Sequence, residues 1–135
     1  MLAPQGRQGQ APVPLAVIGR NNAGVSLAAD GDFAAASWGG SLAGAQDVFV
    51  SVSRNGGAAF AEPVRVSEDH WEFDGCPDNG PAIAVDASKR VHVAWPSPAD
   101  VKDARSMALW YAMWPAGSRF ESWARRRLAS IHQWS

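Results

Sequence analysis

Val25-Ser-Leu-Ala-Ala-Asp30, followed by Phe33-Ala-Ala-Ala-Ser-Trp38, returns further along the chain as Pro81-Ala-Ile-Ala-Val-Asp86 and Val91-His-Val-Ala-Trp95. Leu27 aligns with Ile83 and Asp30 with Asp86, an offset of 56. Downstream, Val48-Phe-Val-Ser-Val-Ser53 matches Ala108-Leu-Trp-Tyr-Ala-Met113, and Gly57 and Phe60 match Gly117 and Phe120, at an offset of 60. The additional residues of the second copy are expected in a loop, Pro96 to Ser106. A partial third copy opens the chain, where Gly6 and Pro12 keep the spacing of Gly57 and Pro63.

Each copy reads as apolar runs separated by turn residues, which is the signature of strands. The first copy predicts strands near 24–29, 33–38, 47–53 and 59–66, and the second near 81–86, 90–95, 107–113 and 118–124. A four-stranded unit repeated at this period is the pattern of a β-propeller blade. The expected fold is therefore all-β, a partial propeller of two four-stranded antiparallel blades. Residues 1–23 read as a remnant of a preceding blade or a flexible arm, 24–67 as the first blade, 68–121 as a connecting loop and the second blade, and 122–135 as a tail. The tail is open between two readings. The repeat demands a fourth strand, whereas Ala124, Leu128 and Ile131 share one helical face in a stretch without Gly or Pro.

Composition bounds the function. The chain of 135 residues carries 12 basic and 13 acidic side chains, a net charge of -1, so no field of either sign recruits nucleic acid. Arg125 to Arg127 is too short a basic run to change that. Thirteen Gly, nine Pro and seven Trp against one Tyr suit short strands joined by turns and pinned by large aromatics. No apolar run approaches the length of a membrane span, and the N-terminus has neither the charged leader nor the apolar core of a signal peptide. The one cysteine, Cys76, cannot close an intrachain disulfide and supplies too few thiolates for structural zinc. No metal and no cofactor is expected.

Ser53-Arg-Asn-Gly-Gly-Ala-Ala-Phe60 is the most specific local feature. It resembles the Asp box, or bacterial neuraminidase repeat, in which Ser/Thr and Asp/Asn precede a Gly and end on Trp/Phe. In physical terms Asn55 bonds the backbone across the turn, Gly57 allows positive φ, and Phe60 packs beneath. Ala59 stands where the family has Thr. The second copy keeps only Gly117 and Phe120. Together with the blade-opening segment from Asp74 to Trp95, the chain between Val25 and Phe120 is similar to bacterial proteins of the sialidase superfamily. That resemblance implies a six-bladed propeller, Asp boxes on the face opposite the active site, and by analogy a glycoside hydrolase acting on sialic acids.

The family's catalytic set does not carry over. Sialidases grip the substrate carboxylate with three arginines and use an Asp acid/base and a Tyr activated by Glu. Here Tyr111 is the single tyrosine, set in an apolar strand where it reads as packing. Arg54, Arg65 and Arg119 match no arginine-triad motif, and His92 alternates with Val91 and Val93 as a structural residue would. The best ligand-facing candidate is Ser67 to Gly80, the connection between blades. Glu68, Asp69, Glu72, Asp74 and Asp78 gather carboxylates there, as glycoside hydrolysis needs, and Trp71 and Phe73 offer flat faces on which sugars stack. Weak catalytic candidates are thus Asp74, Asp78, Glu68 and Asp69. His70, Asp74, Cys76 and Asp78 lack the spacing of a metal site.

Three readings follow. The first is a fragment of a sialidase-like propeller, inert alone, whose parent cleaves or binds a sialoglycoconjugate. The second is a non-catalytic glycan- or protein-binding module, and the third a small β protein unrelated to sugar. Two blades cannot close a ring, so self-association through uncovered blade faces is expected, with Phe49, Trp95 and Trp110 contributing.

Overall fold

The computed structural model describes residues 12–42, 45–67, 71–72, 80–100, 103–114 and 124–130. The described chain is all-β. Strands β1 (Asn21–Asp30), β2 (Phe33–Leu42), β3 (Ala45–Ser53) and β4 (Val64–Arg65) form one antiparallel meander in that order, with the short β5 (Trp71–Glu72) pairing with the start of β3. Strands β6 (Ala82–Val85), β7 (Val91–Asp100), β8 (Asp103–Trp114) and β9 (Ala124–Ser130) form a second, also in chain order. This is the arrangement of two successive propeller blades. No helix among the described residues is long and apolar enough to cross a membrane.

Cross-strand pairing fixes which positions of the two blades are equivalent. Leu27 pairs with Ala36 and Ile83 with Val93, and Trp38 pairs with Phe49 as Trp95 pairs with Trp110. The first strands therefore match at the offset of 56. The third strands match at 61, one more than the sequence alignment suggested. The correction matters because a slip of one residue exchanges the two faces of a strand.

Each blade has a leading face, toward the chain's start, and a trailing face. The trailing face of the first blade carries Phe33, Ala35, Val48, Val50 and Val52. The leading face of the second carries Ile83, Val85, Val91, Val93, Trp95, Ala112 and Trp114, and the two close into one core. Phe33 stacks on Trp114 with ring centroids 6.1 Å apart. At the inner edge β1 meets β6. There Ser26 Oγ donates to the carbonyl of Pro81 at 2.7 Å, and Lys89 Nζ bridges to Asp30 Oδ2 at 3.0 Å. Gly80 lies so close that a Cβ on it would stand 2.2 Å from the Gly24 carbonyl oxygen, so only glycine fits.

The N-terminal segment covers part of the first blade's leading face. Leu15, Val17 and Phe60 pack on Ala36, Trp38 and Phe49. Asn22 Oδ1 accepts from the Val17 amide and from Trp38 Nε1, both at 2.9 Å. Arg20 donates to the buried Asp47 Oδ2 at 2.9 Å and lies 5.1 Å from the Phe49 ring centroid. From Phe33 to Trp38 every residue of β2 is buried, whereas from Val91 to Ser97 buried and half-buried residues alternate. The middle strand β2 is thus covered on both faces, and β7 fully on one and partly on the other.

Several expectations need correction. Phe49 and Trp95 are buried and Trp110 is half-buried against the core, because the arm and the neighbouring blade cover them. Among the described residues the exposed large apolar side chains are instead Val13, Ile18, Val25, Leu27 and Leu42. Most of Pro96 to Ser106 is not a loop, since β7 runs to Asp100 and β8 starts at Asp103. Pairing with β6 stops at Ala94, so Pro96 and Pro98 fall where β7 has outrun that neighbour, the setting in which a strand tolerates proline. The fourth strand of the first blade shrinks to Val64–Arg65, and that of the second moves from 118–124 to Ala124–Ser130. Of the two readings of the tail, residues 124–130 take the strand, because pairing with β8 satisfies the backbone of both.

Candidate functional site

The polar groups that converge are Asp86, His92 and Tyr111, on the trailing face of the second blade. His92 sits on β7 and Tyr111 on β8; β7–β8 pairing sets Ala94 opposite Tyr111 and His92 opposite Met113, so the two rings are diagonal neighbours on one face. Asp86 opens the β6–β7 turn. Its carboxylate accepts from the amides of Ser88 and Arg90, at 2.9 and 3.0 Å, and from Arg90 Nε at 2.6 Å. The turn needs Lys89 at φ 63°, and that side chain is held by its bridge to Asp30 across the blades.

His92 Nε2 lies 2.9 Å from Asp86 Oδ2, and Nδ1 lies 2.5 Å from the Tyr111 hydroxyl. The hydrogen bond from His92, the Arg90 amide and side chain, and the Ser88 amide hold the Asp86 carboxyl well below the usual carboxylate range, against an opposing effect of desolvation. Asp86 is therefore ionised and can only accept. Nε2 must carry the proton it shares, and Nδ1 meets the phenol hydroxyl as acceptor or donor according to the proton count of the ring. The result is a hydrogen-bonded relay that links Tyr111, His92 and Asp86. Such a chain orients a phenol beside an imidazole. Sequence reasoning took His92 and Tyr111 as structural and Asp86 as a repeat marker, because only cross-strand pairing brings them together.

A second feature lies where the β1–β2, β3–β4 and β6–β7 turns meet. Asp32, Phe33, Arg54, Lys89 and Trp114 line a cleft of about 330 Å³. The Arg54 guanidinium lies over Trp114 at 5.4 Å and Phe33 at 6.0 Å from the ring centroids, so it caps the aromatic stack. The Ser53–Phe60 turn supplies Arg54 to the cleft. Ser53 Oγ donates to Asn55 Oδ1 at 2.8 Å and accepts from the Gly57 amide at 2.9 Å, while Asn55 Oδ1 also accepts from the Ala59 amide at 3.0 Å. Gly56 and Gly57 have φ of 70° and 89°, and Phe60 packs against the Trp38 cluster.

Of the ligand-facing candidates, Glu68, Asp69, His70, Phe73, Asp74, Cys76 and Asp78 lie outside the described residues, as do Gly117, Arg119 and Phe120 of the second turn. The backbone of Trp71 and Glu72 runs beside Gln46 and Ala45, at the end of the first blade opposite the Ser53–Phe60 turn. Among the described residues no group of three His, Cys, Asp or Glu side chains gathers as metal ligands would. The described arginines whose contacts are given do not converge: Arg20 pairs with Asp47, Arg90 with Asp86, and Arg54 caps Trp114. No family model, no curated protein and no solved structure matches this chain.

Proposed function

We propose that the chain is a two-blade segment of a sialidase-like propeller that handles terminal sialic acids or a related glycan, and that it does not hydrolyse them alone. The observation that carries this reading is the closed Ser53–Phe60 turn between the third and fourth strands of a meander that is followed by a second of the same order. The glycan-facing end in this reading is the one opposite that turn, with Trp71 and Phe73 as stacking faces and Glu68, Asp69, Asp74 and Asp78 as hydroxyl acceptors. The alternative, a non-catalytic glycan- or protein-binding module, draws support from Tyr111: the single phenol is bound to His92 on a sheet face. The test is incubation with a fluorogenic sialoside alongside saturation-transfer NMR with a sialic-acid-terminated trisaccharide. Transfer to the sialic acid protons without turnover is expected. Turnover above a blank would overturn the inert reading, and absence of transfer would overturn the glycan reading.

A further inference from the structure

The junction between the two blades is a template for a second junction, between copies of this chain. Ser26, Leu27, Ala28 and Ala29 of β1 correspond through the pairing to Ala82, Ile83, Ala84 and Val85, and the same offset of 56 in the sequence sets Gly24 and Val25 with Gly80 and Pro81. On the leading face of the second blade Pro81 is buried, and Ile83 and Val85 pack on the core formed with the first blade. Their counterparts on the first blade are bare: Val25 is 64% and Leu27 67% exposed, and Ala29 is exposed too. The arm that covers Trp38 and Phe49 leaves this inner strand open.

The opposite end of the chain shows the complementary deficit. On the trailing face of the first blade Ser26 and Ala28 are half-buried against the second blade, whereas their counterparts Ala82 and Ala84 are exposed. The close approach of Gly80 to Gly24 completes the match, since both members of the pair lack a side chain. The leading face thus offers Gly24, Val25 and Leu27, and the trailing face offers Gly80, Ala82 and Ala84.

We propose that the trailing face of the second blade docks on the leading face of the first blade of another copy, through β6 against β1, repeating the inner-edge contact of the interior junction. The contact is head to tail, so each copy uses two different surfaces and the assembly closes into a ring or grows as a chain. The proposal does not depend on the glycan reading. It also places His92 and Tyr111 beside the new junction, where the first blade has the apolar Ala35 and Val50.

Sedimentation velocity at micromolar concentration tests it with Leu27→Arg and Ala84→Arg, both at exposed positions that leave the interior junction intact. The unaltered chain is expected to sediment as a multimer. Each variant should sediment as a monomer with unchanged circular dichroism, and an equal mixture of the two should form a dimer, because each retains the surface the other has lost. A monomeric unaltered chain, variants that associate as the unaltered chain does, or a mixture that stays monomeric would each overturn the proposal.

Discussion

Trp114→Ala is the substitution that tests most directly whether the two blades share one core. Trp114 is 2% exposed, stacks on Phe33 of the other blade and lies under Arg54. Truncating a buried Trp costs about 3–5 kcal/mol through lost transfer energy and the space left behind. A domain of this length is stabilised by about 7–20 kcal/mol in total. The variant should remain folded at room temperature with its melting temperature lowered by about 10–15 °C. Combining it with Phe33→Ala in a double-mutant cycle should return a coupling of about 0.5–1.5 kcal/mol for the aromatic pair. The assay is urea unfolding followed in parallel by tryptophan fluorescence and far-UV circular dichroism. Both signals should move together in one transition. A loss below about 1 kcal/mol, set against the cost expected of a buried aromatic, or two separated transitions, would refute the shared core.

Gly80→Ala should destabilise by about 1–3 kcal/mol or prevent folding, since the new Cβ meets the Gly24 backbone, and a thermal melt reads this out. Asn55→Ala should cost about 1–2 kcal/mol by removing the acceptor of two turn hydrogen bonds, while Asn55→Asp, which keeps that oxygen, should restore most of it in the same melt. Asp86 has a folded pKa below its unfolded value, so its contribution is present above the ordinary Asp pKa of about 3.9 and fades as pH falls below it. Denaturant midpoints of the unaltered chain and Asp86→Asn, taken across acidic pH, should therefore converge in acid; a constant gap would refute the assignment.

The repeat was legible because Leu27 and Ile83, Asp30 and Asp86, and Trp38 and Trp95 are matched side chains at matched turns, and the Ser53–Phe60 turn was legible because its chemistry is local. The third-strand offset was not. Val48–Ser53 and Ala108–Met113 are apolar runs whose composition fits either register, and only the partners Trp38–Phe49 and Trp95–Trp110 distinguish them. The Asp86–His92–Tyr111 relay was hidden for a related reason. His92 and Tyr111 are separated by a hairpin whose residues, Pro96 to Ser106, read as a loop until β7 and β8 are seen to pair along them. The cover on Trp38 and Phe49 depends on Asn22 and Arg20 anchoring the preceding segment, a tertiary contact with no periodic signature.

The core shared by Phe33, Val50, Val93 and Trp114 means that covalent continuity between the blades is dispensable to their union. A chain severed between residues 67 and 80 would leave two halves whose facing apolar surfaces remain matched to each other. Neither half alone would cover its own sheet, and mixing the separately produced pieces would rebuild the native circular dichroism by fragment complementation.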